Sequence, residues 1–146
     1  MTASPPIAAA SPSRTAVPLV AGIVVAGTAT TVVAFAALAA GADPRFAPLS
    51  APASLTFTVV GVLAAYAGWR VVRRFARNPA ATLRILVPVV LVLSFVPDVV
   101  LGITRFIPYT DTTGAVALAI MHVVVAGVAV PLSARLAPVG PVSRAA

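Results

Sequence analysis

The sequence predicts an all-α integral membrane protein, a four-helix bundle of up-down-up-down order with both termini in the cytoplasm. Of its 146 residues, 60% are hydrophobic and only 9% are charged, whereas soluble domains carry roughly a quarter charged residues. The mean hydropathy is +1.08. Four apolar stretches follow one another along the chain, each long enough for the roughly 20 residues that cross a bilayer.

The first predicted helix spans about residues 17–41. Residues 1–16 are rich in Pro, Ser and Ala and predict a disordered tail. A cleavable signal peptide is the alternative, because the small residues at the end of the apolar stretch resemble a cleavage site. The apolar stretch is longer than the roughly 7–15 apolar residues of a signal peptide, which favours a retained helix. Gly22, Ala26 and Thr30 lie at helical spacing and indicate a helix-packing face.

The second predicted helix spans about residues 52–73. Ser50 is a candidate N-cap, and Pro52 suits the first turn, where an N–H has no partner within the helix. Tyr66 and Trp69 near its end are amphipathic aromatics typical of the headgroup boundary.

The third predicted helix spans about residues 79–106, with Asn78 as its N-cap. Pro97 lacks an N–H and clashes with the preceding turn, so a bend is expected there, with Ser94 able to satisfy the freed backbone group.

The fourth predicted helix spans about residues 112–135 and is capped by Asp111. The transmembrane domain therefore covers residues 17–135, and residues 136–146 are predicted to form a flexible C-terminal tail.

The distribution of arginine predicts the orientation. Four spans place both termini on one side, and eight of the ten arginines belong to that side, whereas Arg45 and Arg105 belong to the other. Positive residues collect in the cytoplasm. The sequence therefore predicts a multi-pass protein of the cell membrane with cytoplasmic termini.

Composition argues against several classes of function. The chain has no Cys, no Glu and a single His, while protein zinc sites take three or four ligands, so no metal site is expected. No catalytic constellation or cofactor-binding motif is present either, and we predict that the protein is not an enzyme. The net charge of +7 is not arranged on a soluble basic surface, so nucleic acid is not an expected partner.

A candidate intramembrane polar cluster lies in the third and fourth predicted helices. Ser94, Asp98 and Arg105 share one helix face, and His122 lies on the small-residue seam of the next helix. Asp98 and His122 are each twelve residues from Thr110, so they should lie at similar depth and face each other. Arg105 is the rival partner of Asp98. An ionisable residue inside a span marks a functional hypothesis, although a structural pair that fixes helix packing is the simpler interpretation.

A second candidate site is the arginine cluster between the second and third helices. It could contact anionic lipid headgroups, although the topology rule alone also accounts for it. The cluster consists of Arg70, Arg73, Arg74, Arg77 and Arg84.

Three short motifs carry a family resemblance. They are Ala67-Gly68-Trp69, the Leu93–Asp98 run with its Ser and Pro, and Met121-His122 in the last helix. Together they resemble a family of small actinobacterial four-helix membrane proteins known as a domain of unknown function, number 6069. The resemblance implies four helices and a bacterial membrane, and it carries over no activity or functional residue.

Two functional hypotheses remain. The first is a non-enzymatic structural or accessory membrane subunit, since the spans are almost wholly apolar. The alternative is a small transporter or channel component that uses Asp98, His122 and Arg105. One chain offers little polar lining for a path, so this alternative requires a homo-oligomer or a larger membrane complex.

Overall fold

The computed structural model describes residues 13–139, and within this range the chain forms α-helices and no β-strand. The helices are α1 (Ser13–Ala39), α2 (Ala51–Phe75), α3 (Pro79–Ser94), α4 (Val96–Thr104) and α5 (Thr112–Leu136), with a short 3-10 turn at Ala47–Leu49. Only Phe95 separates α3 from α4, and together they form one segment of 26 residues, so four helical segments are long and apolar enough to cross a membrane. The predicted all-α, four-span fold is confirmed.

The ends of the helical region differ from the prediction by a few residues. Helix α1 begins at Ser13, so the last four residues of the tail predicted at 1–16 are helical, while residues 1–12 lie outside the described range. The helix ends at Ala39 because Gly41 adopts a φ of 97°, the left-handed conformation that terminates many helices. Leu136 closes α5, and residues 140–146 lie outside the described range.

The third predicted helix is two helices separated at Phe95. Pro97 has no N–H to offer to the carbonyl of Leu93, and the helical pattern breaks within two residues of it. The N–H of Phe95 instead bonds to the carbonyl of Val92, three residues back, at 3.2 Å. The interruption expected from Pro97 is therefore present, and it gives the chain a second helix start inside the span.

Two details of that helix were predicted wrongly. The hydroxyl of Ser94 donates to the carbonyl of Leu91 at 2.6 Å, and not to the Leu93 carbonyl that Pro97 leaves free. Helix α4 ends at Thr104 rather than 106, because Arg105 takes a left-handed φ of 50° and its N–H bonds back to the carbonyl of Leu101.

Two of the three predicted N-caps are confirmed. The Asn78 side chain accepts from the N–H of Ala81 at 3.2 Å, and Asp111 accepts from the N–H of Gly114 at 2.7 Å. Ser50 occupies the cap position of α2, but its hydroxyl donates to a carbonyl in the preceding turn. The predicted cap at Ser50 is wrong, because Pro52 supplies no N–H at one of the two positions that a cap side chain could reach.

Helices α1, α2 and α5 form the core of the bundle. Ala26, Val62 and Ala129 meet there with almost no exposed surface, and the Thr30 and Thr58 hydroxyls form a hydrogen bond of 3.1 Å between α1 and α2. Small side chains let backbones approach closely, which drives helix association in lipid. The packing face expected on the first helix is therefore used.

Helices α3 and α4 lie at the edge of the bundle. Leu83 is the buried residue of α3, and most other large apolar side chains of the two helices are exposed, as expected of a surface in contact with lipid. The exposed ones are Ile85, Leu86, Val89, Val90, Val92, Leu93, Val96, Val99, Val100 and Ile103.

Candidate functional site

The structure places Asp98 at the start of a helix. The interruption at Phe95 makes Asp98 a residue of the first turn of α4, where the positive end of the helix dipole stabilises a carboxylate. His122 lies on α5 opposite it. The facing arrangement predicted for the two side chains is confirmed, with His122 Nδ1 at 3.1 Å from Asp98 Oδ2.

One nitrogen of His122 lies close to two oxygen atoms. Nδ1 lies 2.9 Å from the carbonyl oxygen of Leu118, one turn earlier on α5. A carbonyl oxygen only accepts, so Nδ1 carries a proton. Asp98 Oδ2 has no well-aligned hydrogen bond within residues 13–139, which indicates that the N–H points at Leu118 and that the contact with Asp98 is mainly electrostatic.

The two members of the pair differ in exposure. The Asp98 side chain is 9% exposed and that of His122 is 40% exposed. Phe95 lies edge-on to the imidazole, with 6.3 Å between ring centres. The pair can therefore hold α4 against α5 through a buried carboxylate, while the outer side of the imidazole ring stays accessible from the surface of the bundle.

The other two members of the predicted polar cluster do not join this pair. The Ser94 hydroxyl bonds within its own helix. Arg105 is exposed beyond the end of α4 and forms no ion pair with any residue between 13 and 139. Arg105 was the rival partner for Asp98, reaching down from the outer interface, but the left-handed turn at its own backbone ends the helix there. Whether the cluster has a function stays a prediction.

The arginine cluster at the opposite end lies on the surface. All five of its arginines are exposed. Arg70 donates to the hydroxyl of Tyr66 at 3.0 Å, and the Arg74 guanidinium lies 5.5 Å from the centre of the Phe75 ring. The last turns of α2 form a shallow depression lined by Arg70, Val71, Arg73, Arg74 and Phe75.

The end of the bundle that carries Arg45 is held together by polar contacts that the sequence did not reveal. Asp111 caps α5 with one oxygen and accepts from the backbone N–H of Asp43 at 2.7 Å with the other, which ties the first loop to the last. Arg45 forms an ion pair of 2.9 Å with Asp43 and stacks on the Tyr109 ring at 4.0 Å. The side-chain and backbone hydrogen bonds from Arg45 hold the pKa of Asp43 below its usual range.

Within the described part of the chain, no group of three or more His, Cys, Asp or Glu residues could hold a metal ion. Among the ion pairs of residues 13–139, the Asp98–His122 pair is the one that joins two spans.

Comparison with known proteins identifies the family. A family model described as "Family of unknown function (DUF6069)" matches residues 10–138, nearly the whole chain. The chain belongs to DUF6069. Helices α1 to α5 lie wholly within the matched range, so all four membrane-capable segments belong to the DUF6069 region of the chain. Neither the curated proteins nor the solved structures include a match to this DUF6069 chain. It is an integral membrane protein of a family whose biochemical function is unknown.

Proposed function

We propose that the protein is a non-enzymatic structural or accessory subunit of the cell membrane, with both termini and the arginine cluster in the cytoplasm. The observation that carries this proposal is the use of polar side chains inside the spans. Thr30 and Thr58 join α1 to α2, and Asp98 and His122 join α4 to α5. These contacts go from one helix to another, as expected of groups that fix packing.

The hydrogen bond of Ser94 argues against a serine nucleophile. His122 is the single histidine of the chain, so its imidazole is the one that could act as a base. The hydroxyl of Ser94, the serine nearest in sequence to Asp98, donates to a backbone carbonyl. A serine nucleophile needs a base within hydrogen-bond reach, and in the described part of the chain Ser94 forms no hydrogen bond with His122.

The transporter alternative lacks a supporting observation. It requires Asp98, His122 and Arg105 to line one path, whereas Arg105 lies on the surface at the end of α4. An accessory subunit needs only a stable bundle and a lipid-exposed face for its partner. We propose that this partner is another membrane protein or further copies of the chain, with anionic lipid headgroups at the cytoplasmic side and no nucleic acid.

Purification from native membranes tests the accessory role. A tagged full-length chain extracted in mild detergent should bring down a second membrane protein in a fixed stoichiometric ratio, or should run as a homo-oligomer of defined size. Recovery of the chain alone as a monomer would contradict the proposal.

A matched variant separates the two hypotheses. D98N keeps the size of the side chain and removes its charge, so an accessory subunit should retain its partner at the ratio found for the natural chain. Loss of a cellular transport activity with the complex still intact would instead favour the transporter hypothesis.

A further inference from the structure

The cytoplasmic end that we propose for this chain has no acidic residue to balance its arginines. The three acidic residues of the whole chain are Asp43, Asp98 and Asp111. Asp43 and Asp111 belong to the opposite end, where they contact each other's loops, and Asp98 lies inside the span. The five arginines between 70 and 84 therefore need counter-charges from outside the chain.

The position of the arginines along α2 places them at headgroup depth. Helix α2 has 25 residues, which corresponds to roughly 37 Å at about 1.5 Å per residue, against a hydrocarbon thickness of about 30 Å. Trp69 is pinned near the end of this helix, because its indole N–H donates to the carbonyl of Ala137 at 2.9 Å. Since about 20 residues cross the hydrocarbon, residues 51–70 of α2 suffice to span it, and the last turn of α2 is the part that leaves it.

The depression in this turn has two chemically different sides. Arg70, Arg73 and Arg74 supply guanidinium groups, and Val71 and Phe75 supply apolar surface. Val71 is 54% exposed and Phe75 is 74% exposed. The topology rule explains the arginines and contact with lipid explains the exposed Val71 and Phe75, and in this depression the two kinds of surface adjoin.

We propose that this depression binds one anionic phospholipid, with its phosphate held by the arginines and the start of an acyl chain lying on Val71 and Phe75. Arginine suits this role because its planar fork can bind two phosphate oxygens at once. The lipid site rests on the proposed function, which places this face in the cytoplasm, and it adds one defined binding site to that function. The depth of the depression in the membrane favours a lipid over nucleic acid as its ligand, because the apolar side of the depression lies at the hydrocarbon boundary.

Native mass spectrometry of the full-length chain in non-ionic detergent tests the site. Short-chain phosphatidylglycerol is titrated against the protein, and the apparent Kd is compared with that of short-chain phosphatidylcholine. We expect one phosphatidylglycerol to be retained in clear preference to phosphatidylcholine. Equal retention of the two lipids would overturn the proposal.

A pair of double variants with the same change of charge locates the site. R73Q/R74Q removes two arginines from the depression, and R77Q/R84Q removes two that lie outside it. Loss of two arginine contacts should weaken binding about thirtyfold in R73Q/R74Q, whereas R77Q/R84Q should change the Kd by less than about threefold. Equal weakening by the two variants would mean diffuse charge attraction and would refute a defined site.

Two further arms exclude other ligands. Glycerol phosphate, which has the headgroup chemistry without acyl chains, should bind far more weakly than the lipid, and equal affinity would refute the apolar contact. A short RNA at the same phosphate concentration should not displace the lipid, and displacement would refute the choice of ligand.

A conservative variant guards against misfolding. If R73Q/R74Q fails to fold, R73K/R74K keeps the charge and loses the bidentate fork, so it should weaken binding several-fold, and an unchanged Kd would refute the proposal. If this face is cytoplasmic but no lipid binds to it selectively, the lipid site is refuted and the proposed accessory role stands.

Discussion

The contact between Asp98 and His122 predicts a measurable coupling between α4 and α5. Replacing Asp98 with Asn removes the charge, and replacing His122 with Ala leaves a carboxylate that is 9% exposed without its neighbour. A hydrogen bond to a charged group contributes about 1.5–3 kcal/mol in soluble proteins. Contacts between membrane helices average about 0.6 and reach about 1.7 kcal/mol.

The geometry places the expected value towards the upper part of the membrane range. The imidazole N–H points at the Leu118 carbonyl, so the contact with Asp98 is not a well-aligned hydrogen bond, whereas the burial of Asp98 strengthens the electrostatic attraction between the two side chains. We expect a coupling free energy of about 1 kcal/mol, which is a factor of about five in the unfolding equilibrium. The double variant D98N/H122A should thus be more stable, by about that amount, than the sum of the single effects implies.

Reversible unfolding of the detergent-solubilised protein measures this coupling. The single tryptophan, Trp69, packs against the end of α5 and provides a fluorescence signal for separation of the helices. Ser94 supplies the control, because its hydroxyl bonds within its own helix, and S94A should be additive with D98N. Strict additivity of D98N and H122A would show that the two residues are merely near each other.

Two more predictions concern the end of the bundle that carries Arg45. A Cβ atom on Gly114 would lie 2.8 Å from the fully buried ring of Phe46, whereas one on Gly127 would meet nothing within 4 Å. Thermal unfolding should therefore show G114A destabilised by about 1–3 kcal/mol and G127A unchanged or up to about 1 kcal/mol more stable; equal effects would contradict this packing. In R45Q, the pKa of Asp43 should rise towards its ordinary value, because the bonds that lower it are lost. The pKa of Asp43 is lower in the folded than in the unfolded protein. The pair therefore stabilises the fold fully above the unfolded-state pKa, and this stabilisation is lost as the pH falls through the folded-state pKa. An NMR titration of the Asp43 carboxyl that is identical in R45Q and in the natural chain would refute the assignment.

The four spans could be predicted from the sequence because lipid demands long apolar helices. The interruption of the third span was predictable in part, because Pro97 leaves the Leu93 carbonyl without its helical donor, although Pro88 and Pro131 lie within continuous helices. The equal depth of Asp98 and His122 followed from the helical rise alone.

The remaining features depend on local geometry that the residue pattern does not determine. The left-handed turn at Arg105 ends α4 and keeps that side chain away from Asp98, and non-glycine residues adopt this conformation only when their surroundings impose it. Ser50 occupies the N-cap position but bonds backwards, because a serine hydroxyl has several backbone partners within reach. The bond from Asp43 to Asp111 joins loops 68 residues apart, and no local pattern predicts such a contact.

Labelling of single cysteines tests most directly the claim of four spans with cytoplasmic termini. The chain has no cysteine of its own, and Ala47 and Ala81 are both exposed. A cysteine introduced at either position is the one thiol of the chain that a membrane-impermeant maleimide can label when it is applied to intact cells. We expect labelling of the A47C chain from outside and of the A81C chain only after the membrane is permeabilised. Labelling of A81C in intact cells with A47C protected would reverse the orientation, and labelling of both variants from outside would contradict the four-span arrangement itself.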